Sequence, residues 1–533
     1  MAIMAMDMAR KTSIRAFCLT LLCSAYSFAG DWQFEPSIKL GETYSDNVNL
    51  STNNEASSWV SQAGILLDTS YKAQYAELNL SSESTYATYS HNHELDDDYH
   101  TLNGDFNIQL WPNGISLTGT ADISNRSRNT SRNFLADIIS SDTVRVETYN
   151  SGLMYNVNNS DFILNSSAGY QTISSDDNIG NSEGLVAAFN SRSGIGARNI
   201  FWDMRHTYQE IKNNGRNGTL IESEVKLGLI TDYRVTPFIR YYDEDNSGNV
   251  NNGNNSIESS SYGLGVRWLI SSRIYLDASF NKPIGNQLDI NNKEQKEYIN
   301  AAIKWQPSAR TTLEASFSER FYGNSYGFDF THRNKRLTNS INYVEDIQTL
   351  TRDSFIPVII GQFWCPSVGA IGSISECILA DGTTIIPSEY QLNTISEFEL
   401  VEDDAFSLNK TLNWQSTLAL SRTTLSFNAN MQKRENLDTR IKDENRTASF
   451  TVKRELSSRS NVNLVLSYIS NNLQIDTALE RLDQYRRYQL AYEKSLNSML
   501  LFNIEVSYLD RSSNDATLNY EEGRVSAKIT KGF

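Results

Sequence analysis

Proline and cysteine are scarce in this chain, long apolar runs are missing, and basic residues are outnumbered by acidic ones. Eight prolines in 533 residues leave little to interrupt pairing, because proline lacks the N–H that a central strand must donate. A chain made mainly of strands is the expectation. No segment offers the run of about 18 consecutive apolar residues that a transmembrane helix needs. Lys and Arg number 47 against 63 Asp and Glu, a balance that argues against nucleic acid as a partner and against direct binding of anionic lipid headgroups. A solvated surface tolerant of divalent cations is the plainer meaning.

The N-terminus reads as a secretory signal. Arg10, Lys11 and Arg15 precede the uncharged, mostly apolar Ala16–Ala25, and Ser27-Phe28-Ala29 supplies small residues at the two recognition positions. Cleavage is expected after Ala29, making 1–29 a signal for Sec export. Leu22 before Cys23 is too large for a lipoprotein signal. Removing three basic residues and Asp7 leaves 44 basic and 62 acidic, a net of −18. Cys18 and Cys23 leave with the signal, so Cys365 and Cys377 remain. Both lie in one loop-like segment of an exported chain, and a disulfide between them is the default. Closing so short a loop contributes roughly 3 kcal/mol.

What is present is alternation. Ile115, Leu117, Gly119, Ala121 and Ile123 alternate with Ser116, Thr118, Thr120 and Asp122. Tyr262, Leu264, Val266 and Trp268 alternate with Gly263, Gly265 and Arg267. Every second side chain therefore shares a face, and runs this long exceed those of a sandwich. Short links such as Trp111–Gly114, Ile270–Arg273, Gln306–Ser308 and Ser457–Arg459 take turns with longer polar stretches such as Arg126–Asp142, Glu244–Ile257 and Lys282–Glu294. That rhythm is the mark of a membrane barrel with short periplasmic turns and long outer loops. The mean hydropathy of −0.45 agrees, since half of such a wall faces water. The chain ends on Val525, Ala527, Ile529 and Phe533, spaced as one face of a strand, with Lys531 departing from the apolar pattern. Terminal Phe533 resembles the assembly signal of outer-membrane barrels, which makes outer-membrane lipid and the barrel insertion machinery expected partners.

The predicted fold is all-β: a transmembrane antiparallel up-and-down β-barrel of about 24 strands, range 20–26, spanning 30–533 after the signal peptide. One long piece, Asp346–Asp403, breaks the rhythm. It holds both cysteines and the apolar runs Phe355–Ile360 and Thr384–Pro387, so it is read as a plug in a wide lumen or a cap on its mouth. The lumen face is expected to collect Asp105, Asn107, Asn165, Asn190, Arg205, Arg240, Arg267, Asp277, Glu314, Arg320, Asn428, Asn430, Asn461 and Asn463. Amides and charges of both signs are mixed there, and no ladder of one sign dominates.

Several stretches are similar to a family of bacterial outer-membrane proteins associated with PEP-CTERM/exosortase exopolysaccharide systems. They are Pro36–Val48, Glu319–Tyr326, His332-Arg333 with Ser340–Asp346, and Leu420–Leu425. The resemblance implies a role in exopolysaccharide production with sorted surface proteins, and partners among exopolysaccharide and periplasmic export components. It supplies no catalytic residues.

Candidate chemistry is thin. Gly323-Asn324-Ser325-Tyr326-Gly327 matches the nucleophile-elbow pattern, which works only on a strand–turn–helix. Phe328 and Phe330 continue in strand alternation, so a hairpin turn is expected instead. His91, His93 and His100 around Asp96–Asp98 have metal-ligand residue types, and Asp243, Asp245 and Gly248 echo part of a calcium loop that ends on Asn254 instead of Glu. A charged outer loop is the simpler reading of both. No enzyme, no cofactor and no resident metal is expected. The expected function is an export conduit for exopolysaccharide secretion or surface sorting; the alternatives are a general porin and a surface-binding barrel.

Overall fold

The computed structural model describes residues 30–533, except 53, 113, 128–137, 141–142, 179, 214–215, 249–256, 349–350, 367–377, 380–389, 404–405 and 479; within 348–405 the backbone of the strands alone is described. The expected signal peptide 1–29 and Cys377 lie outside the described residues, as does the Cys365 side chain.

Alternation builds strands, and consecutive strands pair antiparallel through tight turns. The ring runs β1 (Gly30–Ser45), β2 (Ser58–Ala73), β3 (Ala76–Tyr89), β4 (Asp97–Trp111), β5 (Ile115–Ser127), β6 (Thr143–Asn158), β7 (Phe162–Ser175) and β8 (Ser182–Ser193). It continues through β9 (Ile200–Asn213), β10 (Arg216–Leu229), β11 (Val235–Gly248), β12 (Ile257–Ser271), β13 (Ile274–Pro283), β14 (Tyr298–Ser308), β15 (Thr311–Arg320), β16 (Gly323–Arg333) and β17 (Leu337–Gln348). After an insertion follow β21 (Ser407–Ala419), β22 (Thr423–Asn436), β23 (Lys442–Ser457), β24 (Ser460–Leu473), β25 (Arg481–Ser495), β26 (Leu500–Ser513) and β27 (Tyr520–Gly532). The insertion's strands, β18 (Thr351–Pro366), β19 (Ile378–Leu379) and β20 (Tyr390–Asp403), make a separate three-stranded antiparallel sheet. The main sheet has 24 strands. Pairing of β1 with β27, from Ser37↔Gly532 to Ser45↔Arg524, closes it. Closure leaves no unpaired edge. The fold is a closed antiparallel up-and-down β-barrel.

The register carries one face around the ring. Leu40, Ile65, Leu153, Leu185, Ile239, Leu264, Phe280, Ile299, Val506 and Val525 share it, and all are exposed. This is the outer wall, an apolar belt of a kind soluble monomers rarely show. Aromatics cover glycines on it: a Cβ on Gly119 would stand 2.2 Å from the Phe106 ring. The opposite, concave face carries the polar set.

At the end of the barrel holding Gly30 and Phe533, side chains make the turns. The Asn334 Oδ1 accepts from the N–H groups of Arg336 and Leu337, at 2.9 and 2.8 Å. Asn159 does the same for Asp161 and Phe162. Asn and Ser are placed there because they can fold back on their own backbone.

Three boundaries differ from expectation. Gln306–Ser308 ends β14 instead of forming a link, because β14 runs on to pair Ser308 with Thr311. β11 runs to Gly248, so Asp243 and Asp245 sit on a strand and not in a calcium-type loop. β16 starts at Gly323, so Ser325 is a strand residue opposite Ser318, and the turn is Phe321-Tyr322. In each case ladder hydrogen bonds continue past the polar residues, which a sequence pattern does not register.

Candidate functional site

The site is the loop end of the lumen. Strands β13 to β16 have only 10 or 11 residues, against 14 to 16 in most of the others. The β14–β15 ladder stops at Ala301↔Phe317, and the β16–β17 ladder stops at Phe328↔Tyr343. The β15–β16 hairpin continues beyond both, to Arg320↔Gly323. Its tip, 318–327, is therefore paired only with itself. In place of a β17 carbonyl, the N–H of Tyr326 donates to the Glu345 carboxylate at 3.3 Å.

The tip leaves the wall. Arg320 on β15 donates to Glu222 on β10 at 2.8 Å and lies 3.9 Å from Glu244 on β11. Five strand spacings separate β15 from β10, about 24 Å along the wall at about 4.8 Å each. Two side chains cannot cover that arc, so the tip must bend inward from the wall toward β10 and β11. Gly323, at φ +104°, provides the backbone conformation that this tight turn requires. Phe321 at the turn is fully buried, packed with Phe406, Leu408 and Leu437, and Leu220, Ile290, Tyr322 and Ile347 join from the surroundings. The Phe321 carbonyl accepts from the Ile290 N–H at 3.0 Å, and the Arg440 guanidinium donates to the Ile290 carbonyl. Three connections thus meet: the loop before β14, the β15–β16 turn and the loop after β22.

The Ile290 segment is held by Asp289, which accepts from the N–H groups of Asn291 and Lys293, both at 2.8 Å. Partial burial works to raise this carboxyl, but the backbone hydrogen bonds outweigh it, and its pKa falls below the ordinary value.

A second inward fold lies elsewhere on the rim. The short turn Ile138–Ser140 packs Ile139 among Val48, Val60, Ala87, Tyr89 and Tyr99. Tyr89 donates its hydroxyl to the Ile138 carbonyl at 2.6 Å, and Arg524 on β27 reaches Ser140 at 3.0 Å. Again a connection from β5–β6 touches a strand five positions away.

Beneath the hairpin tip is a chamber of about 370 Å³. Arg240 and Lys226 flank Glu224, at 2.7 and 3.6 Å. Lys304 pairs with Glu314, and Arg320 with Glu222. Arg267 holds Asp277 through two bonds of 2.7 Å while stacking on Phe201 and Tyr275. A site so densely ion-paired resists emptying of any one partner, because the remaining charge would be left desolvated.

Of the lumen residues expected from sequence, Arg205, Arg240, Asp277, Glu314 and Arg320 line this chamber, and Arg267 is bound to one of them. Asp105 and Asn107 sit on β4 on the concave face, away from it; Asp105 accepts from Asn79 at 3.1 Å. Glu222, Glu224, Tyr242, Glu244 and Lys304 were not anticipated. Their signal was the i, i+2 spacing of charges in Glu222-Ser223-Glu224-Val225-Lys226, which places them on one face. Phe533 closes the ring beside β1, donating its N–H to the Pro36 carbonyl at 3.0 Å, with the Lys531 ammonium 4.9 Å from its ring.

The remaining candidates form no common centre. His93 pairs with Asp96 at 3.2 Å, and His100 separately with Asp98 at 2.7 Å. Among the described residues, no three His, Cys, Asp or Glu side chains are arranged to hold a metal. Asp96 accepts from the Tyr89 N–H at 2.8 Å and from Thr88, which holds its carboxyl below the ordinary range. Ser325 accepts from the Tyr322 hydroxyl at 3.0 Å.

No family model matches the chain, and no curated protein matches it. Solved structures do match in outline. The siderophore receptor PirA from Pseudomonas aeruginosa is 9% identical, over 94% of this chain and 80% of that one, with a TM-score of 0.38. A mutant ferric enterobactin receptor from Pseudomonas aeruginosa, in complex with enterobactin, is 10% identical, over 94% and 81%, with a TM-score of 0.40. OmpT, an outer-membrane protein of Vibrio cholerae, is 9% identical, over 95% and 98%, with a TM-score of 0.31. Likeness at this level carries no residue across.

Proposed function

We propose that this chain is an outer-membrane conduit serving exopolysaccharide secretion or surface assembly, working without chemistry and gated at its loop end. The observation that carries the reading is the β15–β16 tip projecting into a polar lumen inside a closed ring with an apolar outer belt. The belt supports residence in lipid, where every backbone group must be paired within the protein. The tip supports control, because a ring of 24 strands would otherwise leave a wide channel. The link to exopolysaccharide rests on the sequence resemblance given above. Sec export, the insertion machinery and periplasmic export components follow from the same reading.

A general porin for small solutes is the second reading, favoured by the modest size of the chamber under the tip. Deleting the encoding gene separates them. The conduit requires loss of secreted polysaccharide with accumulation inside the envelope. Unchanged secretion with slower uptake of small solutes would establish the porin instead. Recovery of the protein from the soluble periplasmic fraction would remove both.

A further inference from the structure

The polar residues of the lumen are segregated. Strands β9 to β16 present the ion-paired chamber, whereas β21 to β24 present amides and hydroxyls almost alone. Asn413 and Gln415 on β21, Asn428 and Asn430 on β22, and Thr447 and Ser449 on β23 share the concave face in register. Charges on this face wait until the strand ends, at Arg434 and Asp443 toward the loop end and at Lys453 and Glu455 toward the turn end. Asn463 and Asn461 on β24 stand opposite Lys453 and Glu455, where the neutral surface ends, and Asn461 donates to Glu493 at 2.9 Å. The tract therefore occupies the middle of the wall, between two charged ends.

We infer that this tract is a binding track for a neutral, hydroxyl-rich chain: an uncharged glycan. An ion of either sign would lose water there and meet no counter-charge. Sugar hydroxyls both donate and accept, and so do carboxamides, each offering two donors and two acceptor sites. Asn413 and Asn430 use one of these on each other, at 2.6 Å, and this fixes their orientation while their other positions face the lumen. Asn413, Gln415 and Asn428 are exposed to it. The neighbouring ion-paired chamber of β9 to β16 offers an uncharged chain no comparable match. The inference names the substrate class for the conduit proposed above and rests on that reading for its place in transport, though not for binding itself.

The test is titration calorimetry of the whole barrel in an amine-oxide detergent, which carries no sugar headgroup. Maltohexaose is the neutral probe and a hexauronate the charged one. Saturable binding of maltohexaose, weakened about tenfold or more in N413A/N428A/N430A, is the expected result. Heat-modifiable migration shows that the variant folds, and N428D, which keeps the shape and adds a charge, should weaken the neutral probe as well. No binding, equal binding by the variants, or preference for the hexauronate would overturn the inference. Conductance in planar bilayers judges the conduit separately. A barrel that conducts but binds no hexaose loses the track alone, and one that binds but never conducts loses the conduit alone.

Discussion

The Arg320 guanidinium donates to the Glu222 carboxylate at 2.8 Å, although their strands stand five apart around the ring. That contact ties the inward tip to the β10 wall, so it should behave as a latch. Arg320→Ala leaves Glu222 and Glu244 without their cation and removes the ionic tether between the tip and the wall. The expected outcome is a larger single-channel conductance in planar bilayers and faster protease cleavage within 318–327. A Cys pair at 320 and 222 should do the reverse when oxidised, lowering conductance until reductant is added. Identical conductance in all three proteins would show that the tip does not control passage.

Phe321 makes a distinct contribution to the same tip. It is fully buried among Phe406, Leu408 and Leu437, and truncating such a side chain costs about 3–5 kcal/mol. The tip's ladder joins no neighbouring strand, so this loss should fall on the tip and spare the ring. Phe321→Ala is expected to keep heat-modifiable migration and midpoint of denaturation nearly unchanged while 318–327 loses hydrogen-exchange protection. A drop in the stability of the whole barrel would mean that the tip is part of the cooperative unit.

Much of this was legible in the alternation. The count of about 24 strands, most of the short turns and the concave placement of Asp105, Arg240 and Asp277 follow from period two and from first and last strands that pair. The inward tip was not legible, because nothing in Glu319-Arg320-Phe321-Tyr322-Gly323 states where neighbouring ladders stop. Only Phe321 hinted at it, as a large apolar residue at a turn where solvent should favour Asn or Gly. Segregation of the lumen was hidden for a different reason. Each strand contributes a few inward residues, and only the ring order shows that Glu224, Arg240 and Asp277 cluster while Asn413, Asn428 and Asn430 gather elsewhere. The plug expected in Asp346–Asp403 rests on side chains outside the described residues.

Acid should loosen the segment that holds the tip. The Asp289 carboxyl is pulled below its ordinary pKa in the fold, so its stabilisation is fully present above the unfolded value of about 3.9. It is lost as pH falls through the lowered folded value. Exchange protection of 284–297 should be flat between neutral and mildly acidic pH and fall only below about pH 4. Asp289→Asn, whose amide oxygen can still accept from Asn291 and Lys293, should remove that acid step. A transition near neutral pH would assign control of the loop to another group.

The final strand offers a test of assembly distinct from gating. Val525, Ile529 and Phe533 stand on the outer face, exposed at 49%, 45% and 61%, and the Phe533 N–H bonds to Pro36 at the closing seam. That seam pairs nine residues of β1 and β27 from Ser37↔Gly532 to Ser45↔Arg524, so one hydrogen bond fewer, worth about 0.5–1.5 kcal/mol, cannot by itself undo a closed ring. Deleting Phe533 is therefore expected to leave any barrel that does form with unaltered denaturation behaviour. Its effect should appear earlier, as a lower yield of folded protein in the outer membrane with export to the periplasm intact. Normal outer-membrane levels of the deletion would show that the terminal ring is incidental to insertion. A reduced midpoint at normal yield would move its role from assembly to the seam.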